Sequence, residues 1–161
     1  MKNGHLQQLY KIFYLNSVKH VILAQTDTTV GFLSQDDKKL QYIKGRESSK
    51  PFITIYQNLK SLKENKLRVP NSKKPSIRRA KKTTFIVNGV SFRISTYVQN
   101  SHYLRMLNWS YSTSANESNK NFNRKFCEEN ADIIIENKIH LHENNASKIY
   151  KINNTSIKRL R

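Results

Sequence analysis

Residues 21–52 constrain the fold of this chain more than any other segment. Residues 21–24 form a short apolar run that ends at the polar Gln25, which predicts a buried strand with an open carboxyl end. The residues that follow are Thr26, Asp27, Thr28 and Thr29. Four small polar side chains at the end of a buried strand line a pocket more readily than they fill a core. The sequence therefore predicts a ligand site at this strand end.

A helix is predicted directly after this polar cluster. Ser34, followed three residues later by Asp37, matches a capping box at the start of a helix. Leu40 and Ile43 supply an apolar stripe at i, i+3, and Gly45 is the expected stop. A strand, a polar cluster and a helix thus follow one another within some thirty residues.

The end of the predicted helix is strongly basic. Its three cations are Lys44, Arg46 and Lys50. Lys and Arg side chains close to one turn form a binding site for the charged oxygens of a polyphosphate. The alternative is an ordinary strand–helix unit with a solvated basic turn.

A second polar cluster favours the binding-site interpretation. Within residues 109–119 it comprises Ser112, Thr113, Ser114 and Asn116. These small hydrogen-bonding groups again crowd a predicted strand end, and a loop rich in hydroxyls, amides and N–H groups suits phosphate or carboxylate. Ser114 and Asn116 are expected to face one pocket if the strand continues through them, with Ala115 turned toward the core.

Length and cysteine content favour a single cytoplasmic domain. A chain of 161 residues predicts one domain spanning residues 1–161. Cys127 is the single cysteine, so no disulfide framework is expected. Residues 1–13 contain no long apolar segment, and no run approaches the length of a membrane span. The chain is therefore predicted to be cytoplasmic, with no membrane partner.

The formal net charge of +18 predicts a polyanionic partner such as RNA, a nucleotide or anionic lipid. A general drift of composition toward Lys and Asn explains the charge equally well. Residues 57–82 carry ten Lys and Arg against one Glu, a net charge of +9. This segment is either a solvated linker or a basic surface that lies near a bound nucleotide or contacts tRNA.

Short strands and short helices alternate along the rest of the chain, which predicts an α/β fold with a twisted mixed sheet, packed helices and a concave pocket. Helices are predicted in residues 5–16, 57–67, 101–108 and 119–130, and strands in residues 51–56 and 131–136. Two further strands are predicted around Asn153 and Asn154. Pro70 and Pro75 argue against regular structure in residues 69–76.

The clearest hairpin has Asn88-Gly89 at its turn, the favoured pair for a type I′ turn. On its second strand, Arg93 is expected on the face opposite Phe92 and Ile94. It is then either a ligand-binding cation or a cation on an exposed strand face.

A histidine pair is predicted on another strand. His140 and His142 alternate and would share one face of that strand. They could hold a metal ion, but no third ligand stands at a helpful spacing, so no metal site is assigned.

Three segments in this order resemble the YrdC-like family of threonylcarbamoyl-AMP synthases. They read TDTTVGF (residues 26–32), KGRESSKPF (44–52) and STSANESN (112–119). The resemblance implies a single YrdC-like domain. It also implies a nucleotidyltransferase that forms threonylcarbamoyl-AMP and pyrophosphate from L-threonine, bicarbonate and ATP, with Mg²⁺. In the family, the product modifies adenosine 37 of tRNA through separate transfer proteins.

The resemblance also implies the roles of individual residues. It assigns catalysis to Lys44 and Arg46. It assigns ATP binding to Lys44, Arg46, Lys50, Thr84, Ser114, Asn116, Ser147 and Arg159. It assigns threonine binding to Thr26, Thr28, Arg93 and Thr113.

The chain departs from the family pattern at three positions. Gln25 stands where a proline is usual, Val30 where an aromatic is usual, and Asn119 where a glycine is usual. An alternative therefore stays open, in which the chain is a YrdC-like protein that binds tRNA or double-stranded RNA without full synthase activity.

Overall fold

The computed structural model describes residues 19–45, 51–95, 105–136 and 140–161, and within these ranges nine strands form one sheet. The strands are β1 (Ile22–Gln25), β2 (Val30–Ser34), β3 (Ile53–Tyr56), β4 (Thr83–Val87), β5 (Val90–Ile94), β6 (Trp109–Ser114), β7 (Ile133–Ile135), β8 (Lys148–Ile152) and β9 (Ile157–Arg159). Their order across the sheet is β7–β1–β2–β6–β3–β5–β4–β8–β9. The pairs β1/β7, β3/β5 and β4/β8 are parallel, and the other five pairs are antiparallel. The predicted α/β fold with a mixed sheet is confirmed.

Short helices connect the strands. They are α1 (Asp37–Lys44), α2 (Leu59–Glu64), α3 (Lys74–Arg79) and α4 (Arg124–Glu129), with a 3-10 turn at Asn71–Lys73. Helices α2 and α4 are shorter than their predicted spans because the side chains of Asn58 and Asn123 cap their first turns. No helix among the described residues has both the length and the apolar character needed to cross a bilayer.

Two helix predictions fall wholly or partly outside the described ranges. The helix predicted in residues 5–16 lies outside them. Of the helix predicted in residues 101–108, residues 105–107 are helical and residues 101–104 are not described.

Helix α1 ends as the sequence predicts but begins differently. Its N-cap is Asp36, whose Oδ1 accepts a hydrogen bond from the Lys39 N–H at 3.2 Å. The hydroxyl of Ser34, which was predicted to be the cap, accepts instead from the Asp36 N–H at 3.0 Å. At the other end Gly45 adopts the left-handed conformation, with φ of 53°, where a glycine avoids the steric cost of a Cβ.

All four helices pack on one face of the sheet. Leu40 of α1 and Cys127 of α4 join one core cluster with Phe32 of β2. Leu62 of α2 and Ile77 of α3 join another. This second cluster also contains Tyr56, Phe85, Phe92 and Ile94. The opposite face carries a smaller apolar cluster of Ile22, Ala24, Leu33, Ile55 and Leu107, of which Leu107 comes from the helical residues 105–107.

The Asn88-Gly89 hairpin is confirmed, because both turn residues have positive φ, 49° and 80°. Phe92 and Ile94 enter the core cluster under α2 and α3, so the alternation of strand side chains directs Arg93 to the opposite face. Arg93 is only 5% exposed, which excludes the alternative of a cation on an exposed strand face.

Two local predictions are wrong. Residues 71–79 are helical despite Pro70 and Pro75, because Pro70 precedes the 3-10 turn and Pro75 stands in the first turn of α3, where no helix hydrogen bond is lost. His140 and His142 do not lie on a strand. The ring of His140 is 3.1 Å from Glu136, and that of His142 is 2.8 Å from the His140 carbonyl.

Glu136 links α4 to the segment that follows β7. Its carboxylate accepts hydrogen bonds from both terminal nitrogens of Arg124, at 3.0 and 2.8 Å, and from the Leu141 N–H at 3.3 Å. These contacts, led by those with Arg124, lower the pKa of Glu136 to about 2. Because the folded-state pKa lies below the ordinary value, this stabilisation is present at neutral pH and is lost as the pH falls toward 2.

We expect Glu136→Gln to remove part of the acid dependence of stability. Urea unfolding between about pH 6 and about pH 2 should show a shallower loss for the variant than for the wild-type chain. Glu129→Gln, an exposed change at the end of α4, serves as the control and should leave the profile unaltered. Parallel profiles for Glu136→Gln and the wild-type chain would contradict the assignment.

Candidate functional site

A cavity of about 380 Å³ opens on the face of the sheet opposite helices α1 to α4. The turn after β1, the ends of β5 and β6, and the C-terminal residues meet around it. Of the predicted site residues, Thr26, Thr28, Arg93, Thr113, Ser114 and Ser147 line it. Two segments distant in sequence, the Thr-Asp-Thr turn and the Ser-x-Asn strand end, therefore meet at one pocket as the sequence predicts.

Arg93 is the buried cation of this pocket. Its Nη1 donates to Asp27 Oδ1 at 2.6 Å and to Thr28 Oγ1 at 2.9 Å, while Nη2 donates to Thr84 Oγ1 at 3.2 Å. A guanidinium has five N–H donors, and these contacts use three of them. The Nε atom is buried and has no hydrogen-bond partner among the described residues. Arg93 is therefore fixed from one side and keeps donors for a further acceptor.

The Thr26–Thr29 turn is largely self-supporting. The Thr26 hydroxyl donates to the Thr29 carbonyl at 2.6 Å and accepts from the N–H groups of Thr28 and Thr29, each at 3.2 Å. The Thr26 side chain thus holds the shape of the turn. Gly31 completes the arrangement, since a Cβ there would lie 3.0 Å from both the Thr113 carbonyl oxygen and the Thr26 methyl group. A larger residue at this position would force these neighbours to shift by a few tenths of an ångström.

Lys44 lies behind the end of β6 and is not among the residues that line the cavity. It is 2% exposed, and its Nζ donates to the Ser114 carbonyl at 3.1 Å, to the Asn116 carbonyl and to Asn116 Oδ1 at 2.7 Å. The Ser118 hydroxyl donates in turn to the Lys44 carbonyl. Lys44 therefore ties the end of α1 to residues 114–118, and its position is that of a positioning residue.

The strand does not continue through Asn116, contrary to expectation. β6 ends at Ser114, and the Asn116 amide turns to other groups of its own loop: Oδ1 accepts from Lys44 and from the Ser114 hydroxyl, and Nδ2 donates to the Lys120 carbonyl. Ala115 is 1% exposed and packs in the core, as predicted. Ser114 is exposed and lines the cavity, whereas Asn116 is held behind it.

Thr113 reaches the cavity wall, but its side chain faces away from Arg93. It pairs across the strands with Phe32, which belongs to the core on the helical face. Strand alternation places the side chains of Ser112 and Ser114 on the open face instead. Of these two, Ser112 was not assigned a ligand from the sequence. Because Thr113 is flanked by two serines, the sequence does not indicate which face of β6 is turned toward the cavity.

The C-terminal arginine that enters the site is Arg161, whereas Arg159 was predicted. Arg161 lines the cavity, and its Nε donates to the Ser147 carbonyl at 3.0 Å. Arg159 is exposed on β9 and donates to the Arg161 carbonyl at 3.1 Å. Ser147 is buried and its hydroxyl lies 3.0 Å from that of Thr84, which connects it to Arg93.

Two predicted site residues, Arg46 and Lys50, lie outside the described ranges. Within those ranges no three His, Cys, Asp or Glu side chains come together in a metal-binding group. Among the described residues that line the cavity none is an Asp or Glu, and the nearby Asp27 is bonded to Arg93.

The mixed sheet of nine strands in the described residues, with its flanking helices, is the YrdC-like fold that the sequence resemblance implied. Sua5 of P. abyssi in complex with L-threonine superposes on the chain with a TM-score of 0.73 at 15% identity, over 96% of this chain and 54% of that one. E. coli YciO gives 0.73 at 14% identity, over 96% and 89%. Full-length HypF in a phosphate- and nucleotide-bound form gives 0.67 at 13%, over 100% and 29%.

The comparisons establish the fold, because the identities are low. The chain spans about half the length of the Sua5 structure that it matches. No protein-family model matches the chain, and no curated protein matches its sequence.

Proposed function

We propose that this protein is a threonylcarbamoyl-AMP synthase, which joins L-threonine, bicarbonate and ATP and releases pyrophosphate. The observation that carries the proposal is the buried Arg93, which Asp27, Thr28 and Thr84 hold at the wall of the pocket. The fold that forms this pocket is shared with Sua5 in complex with L-threonine. The other end of the same pocket is lined by Ser112 and Ser114.

Arg93 suits the carboxylate of the amino acid. The free Nε donor and the remaining donor on Nη2 offer a planar pair of N–H groups, the arrangement that carboxylates bind in a bidentate manner. Asp27 partly neutralises the guanidinium and keeps it from rotating, since the contact is short and both side chains are largely buried. The Thr28 hydroxyl, bonded to the same guanidinium, is a second contact for the bound threonine.

The phosphates of ATP are proposed to bind along the end of β6. There the exposed Ser114 hydroxyl faces the cavity, and the cations of residues 46 and 50 follow α1 in sequence. Lys44 and Asn116 contribute by holding residues 114–118 in place. Ser147 and Arg161 bound the cavity at its other side, near β8.

The chemistry needs placement and charge compensation rather than a covalent enzyme intermediate. Bicarbonate takes up a proton and loses water to give CO2, and the neutral threonine amine then attacks CO2 and releases a proton to give a carbamate. A carbamate oxygen then bonds to the α-phosphorus of ATP as the bond to pyrophosphate breaks. Fixed cations and N–H donors stabilise the charge that moves onto the leaving group. Arg46 and Lys50 are the cations proposed for this role, and Arg93 is assigned to the threonine carboxylate.

Magnesium is proposed to enter with ATP as its counter-ion. The described residues offer it no carboxylate ligand in the cavity, so no step of the reaction is assigned to a protein-held metal.

Purified protein supplied with L-threonine, bicarbonate, ATP and Mg²⁺ is expected to release pyrophosphate only when threonine is present. Arg46→Ala should reduce the rate by roughly 100-fold or more, the scale of losing one transition-state charge contact. Lys38→Ala, at an exposed position of α1, is the matched control and should retain the wild-type rate. Pyrophosphate release that is indifferent to threonine would contradict the proposal.

The alternative, an RNA-binding protein of this fold without full synthase activity, rests on the net charge of +18 and on the departures from the family pattern. The structure accommodates one departure directly. Gln25 is buried, and its Oε1 accepts a hydrogen bond from the His142 N–H at 3.0 Å. Tight RNA binding together with the absence of threonine-dependent pyrophosphate would favour this alternative.

A further inference from the structure

A chain of buried polar side chains runs behind the wall of the cavity. Arg93 Nη2 donates to Thr84 Oγ1 at 3.2 Å, and the Thr84 hydroxyl oxygen lies 3.0 Å from that of Ser147. Arg93 and Ser147 both line the cavity, whereas Thr84 is 1% exposed and is not among the lining residues. Thr84 therefore connects two residues of the cavity wall without reaching the cavity itself.

The placement of the hydroxyl protons decides what this chain does. A guanidinium only donates hydrogen bonds, so the Thr84 oxygen accepts from Arg93. Two arrangements then remain for the contact between the hydroxyls of Thr84 and Ser147. Either Thr84 donates and Ser147 keeps its own proton for another acceptor, or Ser147 donates and the Thr84 proton must find another acceptor.

The surroundings of Thr84 favour the first arrangement. Within the described ranges, the Thr84 hydroxyl has no hydrogen-bond partner besides Arg93 and Ser147, and it is closed off from water. A buried donor without an acceptor loses its hydration and gains nothing in return. Thr84 therefore donates to Ser147, and the hydrogen bonds run in one direction, from Arg93 through Thr84 to Ser147.

The Ser147 proton is then the free end of the chain. The Ser147 oxygen accepts from Thr84, and Arg161 Nη2 lies 3.5 Å from the same oxygen. Arg161 Nε also donates to the Ser147 carbonyl at 3.0 Å, which keeps this cation next to the hydroxyl. Among the residues that the structure describes, none other than Thr84 offers an acceptor to the Ser147 hydroxyl. A donor at a cavity wall beside a cation suits a negatively charged oxygen.

We propose that Thr84 is a positioning residue, whose hydroxyl orients Ser147 as a hydrogen-bond donor to an anionic oxygen of the bound ligand. That oxygen belongs to a phosphate or to a carboxylate. The identity of the two ligands, ATP and threonine, rests on the proposed function. Hydrogen bonds in a chain polarise one another, so the positive charge of Arg93 strengthens the donor at Ser147.

The test measures two affinities of the full chain by calorimetry, one for threonine and one for the α,β-methylene analogue of ATP, which cannot release pyrophosphate. Thr84→Val removes the hydroxyl and keeps the shape of the side chain, whereas Thr84→Ser keeps the hydroxyl. Thr84→Ala gives a second removal of the hydroxyl. Ser147→Ala and the double variant Thr84→Val with Ser147→Ala complete the set.

Thr83→Val is the matched control. Thr83 is a buried threonine on the same strand, and strand alternation turns it to the opposite face of the sheet. Its hydroxyl donates to the Lys81 carbonyl at 2.8 Å, so the control also removes one hydrogen bond. Circular dichroism melting of each variant verifies that it is folded.

Ser147→Ala is expected to weaken one of the two ligands by about tenfold or more, the scale of a hydrogen bond to a charged group. Weaker binding of the ATP analogue identifies a phosphate oxygen, and weaker binding of threonine a carboxylate. Thr84→Val and Thr84→Ala should weaken the same ligand by about fivefold. Thr84→Ser should bind within about twofold of the wild type, as should Thr83→Val.

The double variant separates positioning from a general structural role. If Thr84 acts through Ser147, the double variant should bind within about twofold of Ser147→Ala alone, because the donor that Thr84 orients is already absent. Asp27 and Thr28 still hold Arg93 in every variant, so its own contact to the ligand is retained.

Four outcomes would overturn the inference. Losses that multiply in the double variant would mean that Thr84 acts independently of Ser147. Equal losses in Thr84→Val and Thr83→Val would mean a general disturbance of β4. Wild-type affinities in every variant would leave the proposed function standing and remove the role of the chain. A wild-type protein that binds neither ligand would contradict the proposed function together with this inference.

Discussion

Replacing Arg93 with methionine is expected to remove threonine binding and also to destabilise the fold. The substitution leaves the largely buried Asp27 carboxylate without the cation that contacts it at 2.6 Å. Breaking a buried ion pair from one side costs about 3–5 kcal/mol of unfolding free energy. Threonine affinity, measured by calorimetry, should fall at least about thirtyfold, the equivalent of about 2 kcal/mol for a lost charged contact.

The double variant Arg93→Met with Asp27→Asn separates the two effects. Removing the orphaned carboxylate should restore most of the lost stability, because both charges of the pair are then absent. Threonine affinity should stay low, because the double variant has no cation in the position of the Arg93 guanidinium. If the double variant recovers threonine binding together with stability, Arg93 serves only the fold and leaves the proposed carboxylate site.

Replacing Lys44 with methionine is expected to disorder the end of β6. Lys44 donates hydrogen bonds to the carbonyls of Ser114 and Asn116 and to the Asn116 amide oxygen. Leaving a buried acceptor without a donor costs about 1–3 kcal/mol, and these acceptors are only partly buried, so their access to water reduces the sum. We expect a loss of about 3 kcal/mol, which lowers Tm by about 6–12 °C for a chain of this size.

Lys44→Met should weaken ATP binding as well, through the loss of order at Ser114. Lys38→Met, on an exposed position of the same helix, is the matched control and should shift stability by less than about 0.5 kcal/mol. If ATP affinity falls while Tm is unchanged, Lys44 contacts the phosphates directly, and the positioning role is wrong.

Features set by local backbone chemistry could be predicted from the sequence. The Asn88-Gly89 turn and the helix stop at Gly45 were both anticipated because their left-handed conformations restrict the residue type. The face of Arg93 followed from strand alternation around Phe92 and Ile94.

Features that depend on contacts between distant segments could not be predicted. Nothing near Asp27 in sequence indicates that it pairs with Arg93, and nothing near Lys44 indicates that residues 114–118 bury it. The choice between Arg159 and Arg161 depended on where β9 ends, which one sequence does not fix. For Arg93 and Lys44 the cation was clear from the sequence and its partner was not, whereas at the C-terminal end the cation itself was not clear.

The order of the strands has a consequence for how the protein is made. β1 and β4 each receive their outer neighbour from the C-terminal part of the chain, through the parallel pairs with β7 and β8. During synthesis from the N-terminus, the outer edges of β1 and β4 therefore stay unpaired until the ribosome has released the residues beyond 133. Closing such long loops is slow, and unpaired edges are where chains associate wrongly. The nascent protein thus depends on residues 133–152 to cover the outer edges of β1 and β4.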